Sequence, residues 1–357
     1  MFLSLFVLWI LFVIISGSSN RAAKTSAYSS QEQPLSQLPF EVKIVRSPET
    51  EDMEEIQDQA VSLLSAKHFD LLDKYARDFR SSKASYANGV WKLSLVYFGL
   101  ESSYADSQKS WNDRLALLKD WAIAEPNSIT AHVALAAETM FYTTKELAQT
   151  GNDNHIRQQQ VKEFRHALDI LDEAGSFEET CPCWWTIKLE SDKVLQVERS
   201  QFEADFESAT NFEPDFEQFY LIKAVYLANT WHKNDLEIME NDLEKSADRI
   251  GSENGDELYA QVVWNIYPYM GGIKHAIFQD NYFSWPRVKS GFGVIRKRFP
   301  DSLSAVSQEA YFSGLADDRD TARKCLNDIQ GQVDLGVWHS KDNFTSFANW
   351  AYGIQNP

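Results

Sequence analysis

The chain has 357 residues, 44 % hydrophobic and 13 % aromatic, which is ample material for a buried core. Glycine (15) and proline (10) are scarce, which suits long helices and argues against a β-sandwich with many tight turns. A formal net charge of -18 repels phosphate backbones and anionic headgroups, so nucleic acid is excluded as a general partner.

Phe2 to Ile15 is an apolar run broken only by Ser4. A comfortable bilayer span needs about 20 residues, and this run is nearer the length of a signal-peptide core. Ser16 and Ser18 suit cleavage after Ser18, although no Lys or Arg precedes the run; Arg21 and Lys24 follow it. Residues 1–18 are therefore expected to be a signal peptide or an uncleaved membrane anchor. The chain is expected to be periplasmic or secreted, or anchored in an inner membrane, touching lipid only through this segment. Residues 19–50, rich in Ser and Gln and holding Pro34, Pro39 and Pro48, read as a linker. The acids Glu49, Glu51, Asp52, Glu54 and Glu55 suit the start of a helix, and a helical domain is expected over 51–357.

From there the apolar spacing is helical. Leu71, Leu72 and Tyr75 mark one helix after a break near Lys67 and His68. Trp111, Leu115, Leu118 and Ala122 predict another over about 106–124. The segments 155–174 and 235–250 are amphipathic and rich in helix formers, and Val288, Phe292, Ile295 and Phe299 place a helix over 283–299. No run of alternating residues is long enough for a strand, so the fold class is all-α.

Three joints repeat: Pro126-Asn127-Ser128, Pro214-Asp215-Phe216 and Pro300-Asp301-Ser302 each precede a predicted helix start. Ala136, Ala224 and Ala310 follow at one fixed offset, and Ala148, Leu236 and Ala322 at another. A tetratricopeptide unit of ~34 residues wants small residues where its two helices cross. The segment from Pro300 to Asp334 fits best, with Ala310, Gly314, Ala322 and Leu326 in register. Helix pairs that cannot bury their own apolar faces must stack, so the expected architecture is a tetratricopeptide-like solenoid of helical hairpins.

Gly89-Val90-Trp91-Lys92-Leu93, Trp111, Trp121, Pro126-Asn127-Ser128 and Ala131 open a further pattern. It closes with Trp285, Lys289, Gly291-Phe292, Arg298-Phe299-Pro300-Asp301-Ser302, Asp318-Arg319, Thr321-Ala322-Arg323, Trp338 and Trp350-Ala351. Over about residues 60–352 this resembles the bacterial family catalogued as domain of unknown function 4034. The resemblance implies a tetratricopeptide-like scaffold in a bacterial envelope and carries over no catalytic residue.

Cys181-Pro182-Cys183 lacks the Cys-x-x-Cys spacing of common redox and zinc motifs. Three readings stand: half-buried structural thiols, a Cys183–Cys325 disulfide, or metal or redox chemistry. The histidines (His68, His132, His155, His166, His232, His275, His339) form no helical zinc pair. There is no Gly-x-Ser-x-Gly and no phosphate loop. No catalytic, cofactor or metal residue is assigned, and no cofactor is expected. One basic run stands against the acidic background: Arg287, Lys289, Arg296, Lys297 and Arg298, with Trp285 beside it. It reads either as a groove for an acidic protein segment or as helix-end cations paired with neighbouring acids. Trp91, Trp111 and Trp121 are expected in the core, whereas of the adjacent Trp184 and Trp185 one is expected at an edge.

The resulting expectation is a non-enzymatic scaffold binding an unknown protein partner through Trp285, Arg287, Lys289, Arg296 and Arg298. The alternatives are a small-molecule or glycan-binding envelope protein, and an envelope enzyme with a dispersed site.

Overall fold

The computed structural model describes residues 37–102, 107–150, 154–173, 181–228, 233–270, 274 and 276–354. The proposed signal peptide or anchor, the cleavage site after Ser18 and most of the linker lie outside these residues, as do His232 and His275.

Strand β1 (Lys43–Val45) leads into α1 (Pro48–Ser65), α2 (Phe69–Ser82), α3 (Lys92–Leu100), α4 (Gln108–Ala124), α5 (Ile129–Thr150) and α6 (Asn154–Glu173). Then come α7 (Pro182–Leu195), α8 (Arg199–Phe212), α9 (Glu217–Leu227), α10 (Lys233–Ile250) and α11 (Ser252–Ile266), which runs into a 3-10 turn at Tyr267–Tyr269. The chain finishes with α12 (Trp285–Arg298), α13 (Leu303–Leu315), α14 (Arg319–Ile329), β2 (Gln332–Asp334), α15 (Leu335–Trp338) and α16 (Lys341–Tyr352). The all-α class is thus established. The predicted helices appear within two residues of their expected bounds, because caps and apolar stripes agree there. Ser107, Ser284 and Ser302 each accept the amide three residues on, satisfying a donor the helix cannot. Of the three joints, Ser128 and Ser302 cap in this way. Phe216 has no side chain to do so, and the Tyr220 hydroxyl instead bonds to the Pro214 carbonyl at 2.8 Å.

The helices differ in composition and place. Helices such as α3 and α9 are apolar nearly all round and buried nearly all round; α2 and α14 carry one apolar stripe and face water on the other side. The helices α1, α3, α5, α7, α9 and α11 pack each on the next, although α1 buries only a stripe at Ile56, Ala60 and Leu64, like α2. Ala136 and Ala310 are wholly buried and Ala224 and Ala322 nearly or fully so, as close crossings require. Trp91 and Trp121 are in the core; Trp111 is half-buried, resting on Tyr142 at 4.4 Å. Trp184 and Trp185 are both half-buried and meet edge to face at 5.0 Å.

Two features were not foreseen. The segment assigned to a linker up to residue 50 is structured from residue 38 on: Leu38, Phe40 and Val42 pack against the C-terminal core, and α1 begins at Pro48. β1 also pairs in parallel with β2, Lys43 to Gln332 and Val45 to Asp334. Strands of three residues are too short for alternation to show. Gly331 makes the pairing feasible, since its φ of +77° suits glycine and a Cβ there would sit 2.2 Å from the Glu41 carbonyl.

The first and last described segments, residues 40–45 and 332–352, therefore meet. Asn265 donates to the Asn88 carbonyl at 2.9 Å and Gln261 to that of Ala87 at 3.2 Å, while Trp91 packs on Phe216 with centroids 5.0 Å apart. One core cluster runs from Ile56 to Phe312 and a second from Val306 to Ala351, with Trp264 and Tyr311 touching both. Among the described residues no helix is long and apolar enough to cross a membrane.

Candidate functional site: a cleft where the chain ends meet

The first turn of α1, the end of α11, the start of α13 and the start of α15 enclose a cleft of about 380 Å³, within the range that holds small ligands. Its position follows from the closure. Glu49, in the first turn of α1, is bonded to the Ser302 hydroxyl and the Ser304 amide at the start of α13. One carboxyl so serves the positive ends of two helices distant in sequence. Burial nevertheless raises the Glu49 pKa; the Ser302 bond opposes this and nearby Asp334 adds to it. Burial likewise raises Asp334, against hydrogen bonds from the Gly336 amide (2.9 Å) and Ser47.

Trp264, Tyr269 and Pro268 supply apolar wall, and Asn88, Asn265 and Gln308 supply amides. Gln308, buried on α13, donates to Ser304 at 3.0 Å. The Tyr86 hydroxyl bonds to Asp52, whose other partner is Lys92 at 2.6 Å. Among the described residues lining the cleft there is no Lys, Arg or His. The arrangement offers acceptors, amide dipoles and aromatic faces, and lacks the cation that would hold an anion.

The residues expected to bind a partner lie elsewhere and are engaged within the fold. Arg287 reaches Asp256 at 3.0 Å and Asp248 at 2.6 Å, with its guanidinium 5.1 Å from the Tyr259 ring. Lys289 and the Trp285 indole both bond to Asp318, at 2.9 and 3.1 Å. Arg296 pairs with Glu309 at 2.9 Å and with Asp328, Arg298 with Glu257 at 3.0 Å, and Lys297 more loosely with Glu253 at 3.9 Å. These pairs tie α12 to α10, α11, α13 and α14. Burial acts to raise Asp318, but the bonds from Lys289, Thr321 and Trp285 prevail and hold it down at about 2.

All three cysteines are free and fully buried rather than half-buried. Cys183 belongs to the first core cluster and Cys325 to the second, beside Arg296 at 3.8 Å. Among the described residues no group of three or more His, Cys, Asp or Glu is placed to hold a metal ion.

Sequence reasoning did not find the cleft. Glu49 and Asp334 are two of 52 acids, and Trp264 reads as one more apolar position on a helix; no local signal joins residues separated by nearly the whole chain. Compared with protein-family models, with curated proteins and with solved structures, the chain matches none.

Proposed function

We propose that this is an exported helical-repeat protein that binds a neutral, hydroxyl-rich small molecule, such as a short glycan, in the cleft between its chain ends. The observation that carries this reading is the cleft's chemistry: aromatic wall, four side-chain amides (Gln57, Asn88, Asn265, Gln308) and three carboxyls (Glu49, Glu54, Asp334), with no cation among the described lining residues. Hydroxyl groups donate to carboxylates and exchange bonds with amides, while the apolar face of a sugar ring suits Trp264 and Tyr269. Export rests on the N-terminal apolar run alone. The succession of odd helices supports the tetratricopeptide-like solenoid, and binding without chemistry is the activity this reading assigns. A protein partner held by Trp285, Arg287, Lys289, Arg296 and Arg298 is the less favoured reading, because those side chains already have acidic neighbours.

The test is titration calorimetry and tryptophan fluorescence against a panel of neutral mono- and oligosaccharides. Saturable binding is expected, with Trp264→Ala and Gln308→Ala each weakening it about tenfold, or about 1.4 kcal/mol. No saturation by any sugar, or binding indifferent to both substitutions, removes the proposal.

A further inference from the structure

Cys181 and Cys183 flank Pro182 at the start of α7, in the middle of the molecule and outside the cleft. Both thiols are fully buried and hydrogen-bonded to each other. The Tyr97 hydroxyl on α3 sits 3.5 Å from the Cys181 sulfur. Arg80 at the end of α2 faces the same group, interacting with Cys181, Tyr97 and Cys183. It donates to Thr130 at 3.1 Å, while its Nε is buried with no partner among the described residues. Glu217 from α9 adjoins Cys183, and burial holds its carboxyl well above the usual range.

This is an asymmetric thiol pair. Burial opposes ionisation of Cys181, but the bonds from Cys183 and Tyr97 and the charge of Arg80 outweigh it and hold that thiol below its ordinary range. Cys183 goes the other way, raised by burial and then by its bond to Cys181. Thiolate character decides which sulfur attacks an oxidant. The third cysteine is raised as well: burial acts first on Cys325 and Glu309 adds to it, and the nearby Arg296 does not offset them.

We infer that Cys181-Pro182-Cys183 is a peroxide-reactive dithiol, with Cys181 the attacking sulfur and Cys183 the resolving one. Both sulfurs are fully buried, so an oxidant reaches them only through local opening of the fold, which favours small hydrogen peroxide over a bulky disulfide. The Cys181 thiolate attacks one peroxide oxygen, the O–O bond breaks, and the departing hydroxide takes a proton to leave as water. The sulfenic acid formed on Cys181 is then attacked by Cys183 sulfur; an S–S bond forms and a second water leaves with the Cys183 proton. Two thiols are oxidised to one disulfide, and one peroxide is reduced to two waters. The unpartnered Arg80 Nε is a donor for the departing oxygen. The reaction is stoichiometric, and an external thiol reductant reverses it only once the chain is unfolded, because both sulfurs are fully buried.

The experiment uses the full chain, reduced, freed of reductant and exposed to a small excess of hydrogen peroxide. Remaining thiols are then alkylated with N-ethylmaleimide in denaturant and the peptides mapped by mass. The expected result is that the 181–183 peptide loses two hydrogen atoms and escapes alkylation, while Cys325 is alkylated. Cys325→Ser is expected to react like the parent. Cys183→Ser is expected to leave a sulfenic acid on Cys181 that dimedone traps. Arg80→Gln, if its circular dichroism is unchanged, is expected to slow the reaction about tenfold or more by raising the Cys181 pKa. Three results overturn the inference: no oxidation, equal oxidation of all three cysteines at the rate of an unstructured thiol, or a Cys183–Cys325 link. Mapping of the parent chain decides among them even where a variant fails to fold.

Discussion

Asp318 shows how one side chain organises its surroundings. It caps α14 through the Thr321 amide at 3.0 Å and takes Lys289 and the Trp285 indole from α12. A carboxyl held below its ordinary value contributes stability that is present above that value and lost as pH falls through the lowered one. The difference in thermal midpoint between the parent and Asp318→Asn is therefore expected to shrink as pH drops from 3.8 to about 2, which a melting series in acid checks. Glu101 is the reverse case. It is buried with neither oxygen partnered among the described residues, and burial, then the charge of Glu138, raises its pKa well above the ordinary 4.5. Its protonated form is the one the fold prefers, so stability is lost as pH rises. Glu101→Gln, neutral at every pH, is expected to melt above the parent at pH 8, with a smaller difference at pH 5.

At the scale of elements, composition sorts helices into layers and short-range chemistry sets their ends. Helices such as α2 and α14 need only a stripe, so polar substitutions on their outer faces are expected to be mild. The β1–β2 pair is the opposite, an element that exists only through tertiary contact. Gly331→Ala forces a side chain onto a left-handed backbone and against the Glu41 carbonyl. A loss of about 1–3 kcal/mol is expected, with amides of 43–45 losing hydrogen-exchange protection before those of α3. Unchanged protection at 43–45 would show that the pairing does not depend on that glycine.

Over the whole molecule, closure distinguishes this chain from an open stack in which each unit touches only its neighbours. Phe40 packs on Phe344 and Tyr352, with centroids 6.2 and 6.1 Å away, so one residue near the start holds the last helix. Phe40→Ala is expected to cost about 2–4 kcal/mol, somewhat less than removing a fully buried aromatic, because Phe40 is only half-buried. It should also raise hydrogen exchange across α16; an effect confined to residues near 40 would mean that the ends are not coupled.

The all-α class and the bounds of four helices, α4, α6, α10 and α12, could be read from residues alone, since periodicity, capping serines and Pro-led joints act over a few residues. Ser302 and Val288 declare their roles locally. The pairing of Arg287 with Asp248 and Asp256 does not, because any of many acids in an acidic chain is an equal partner until the helices pack. The cleft and the parallel strands join residues near 45 to residues near 334, a separation that no short segment encodes. Sequence by itself determined the helical class and the apolar stripes of helices such as α4 and α12; only tertiary structure decided that Glu49 reaches Ser302 and that residues near 49 and near 334 share a site.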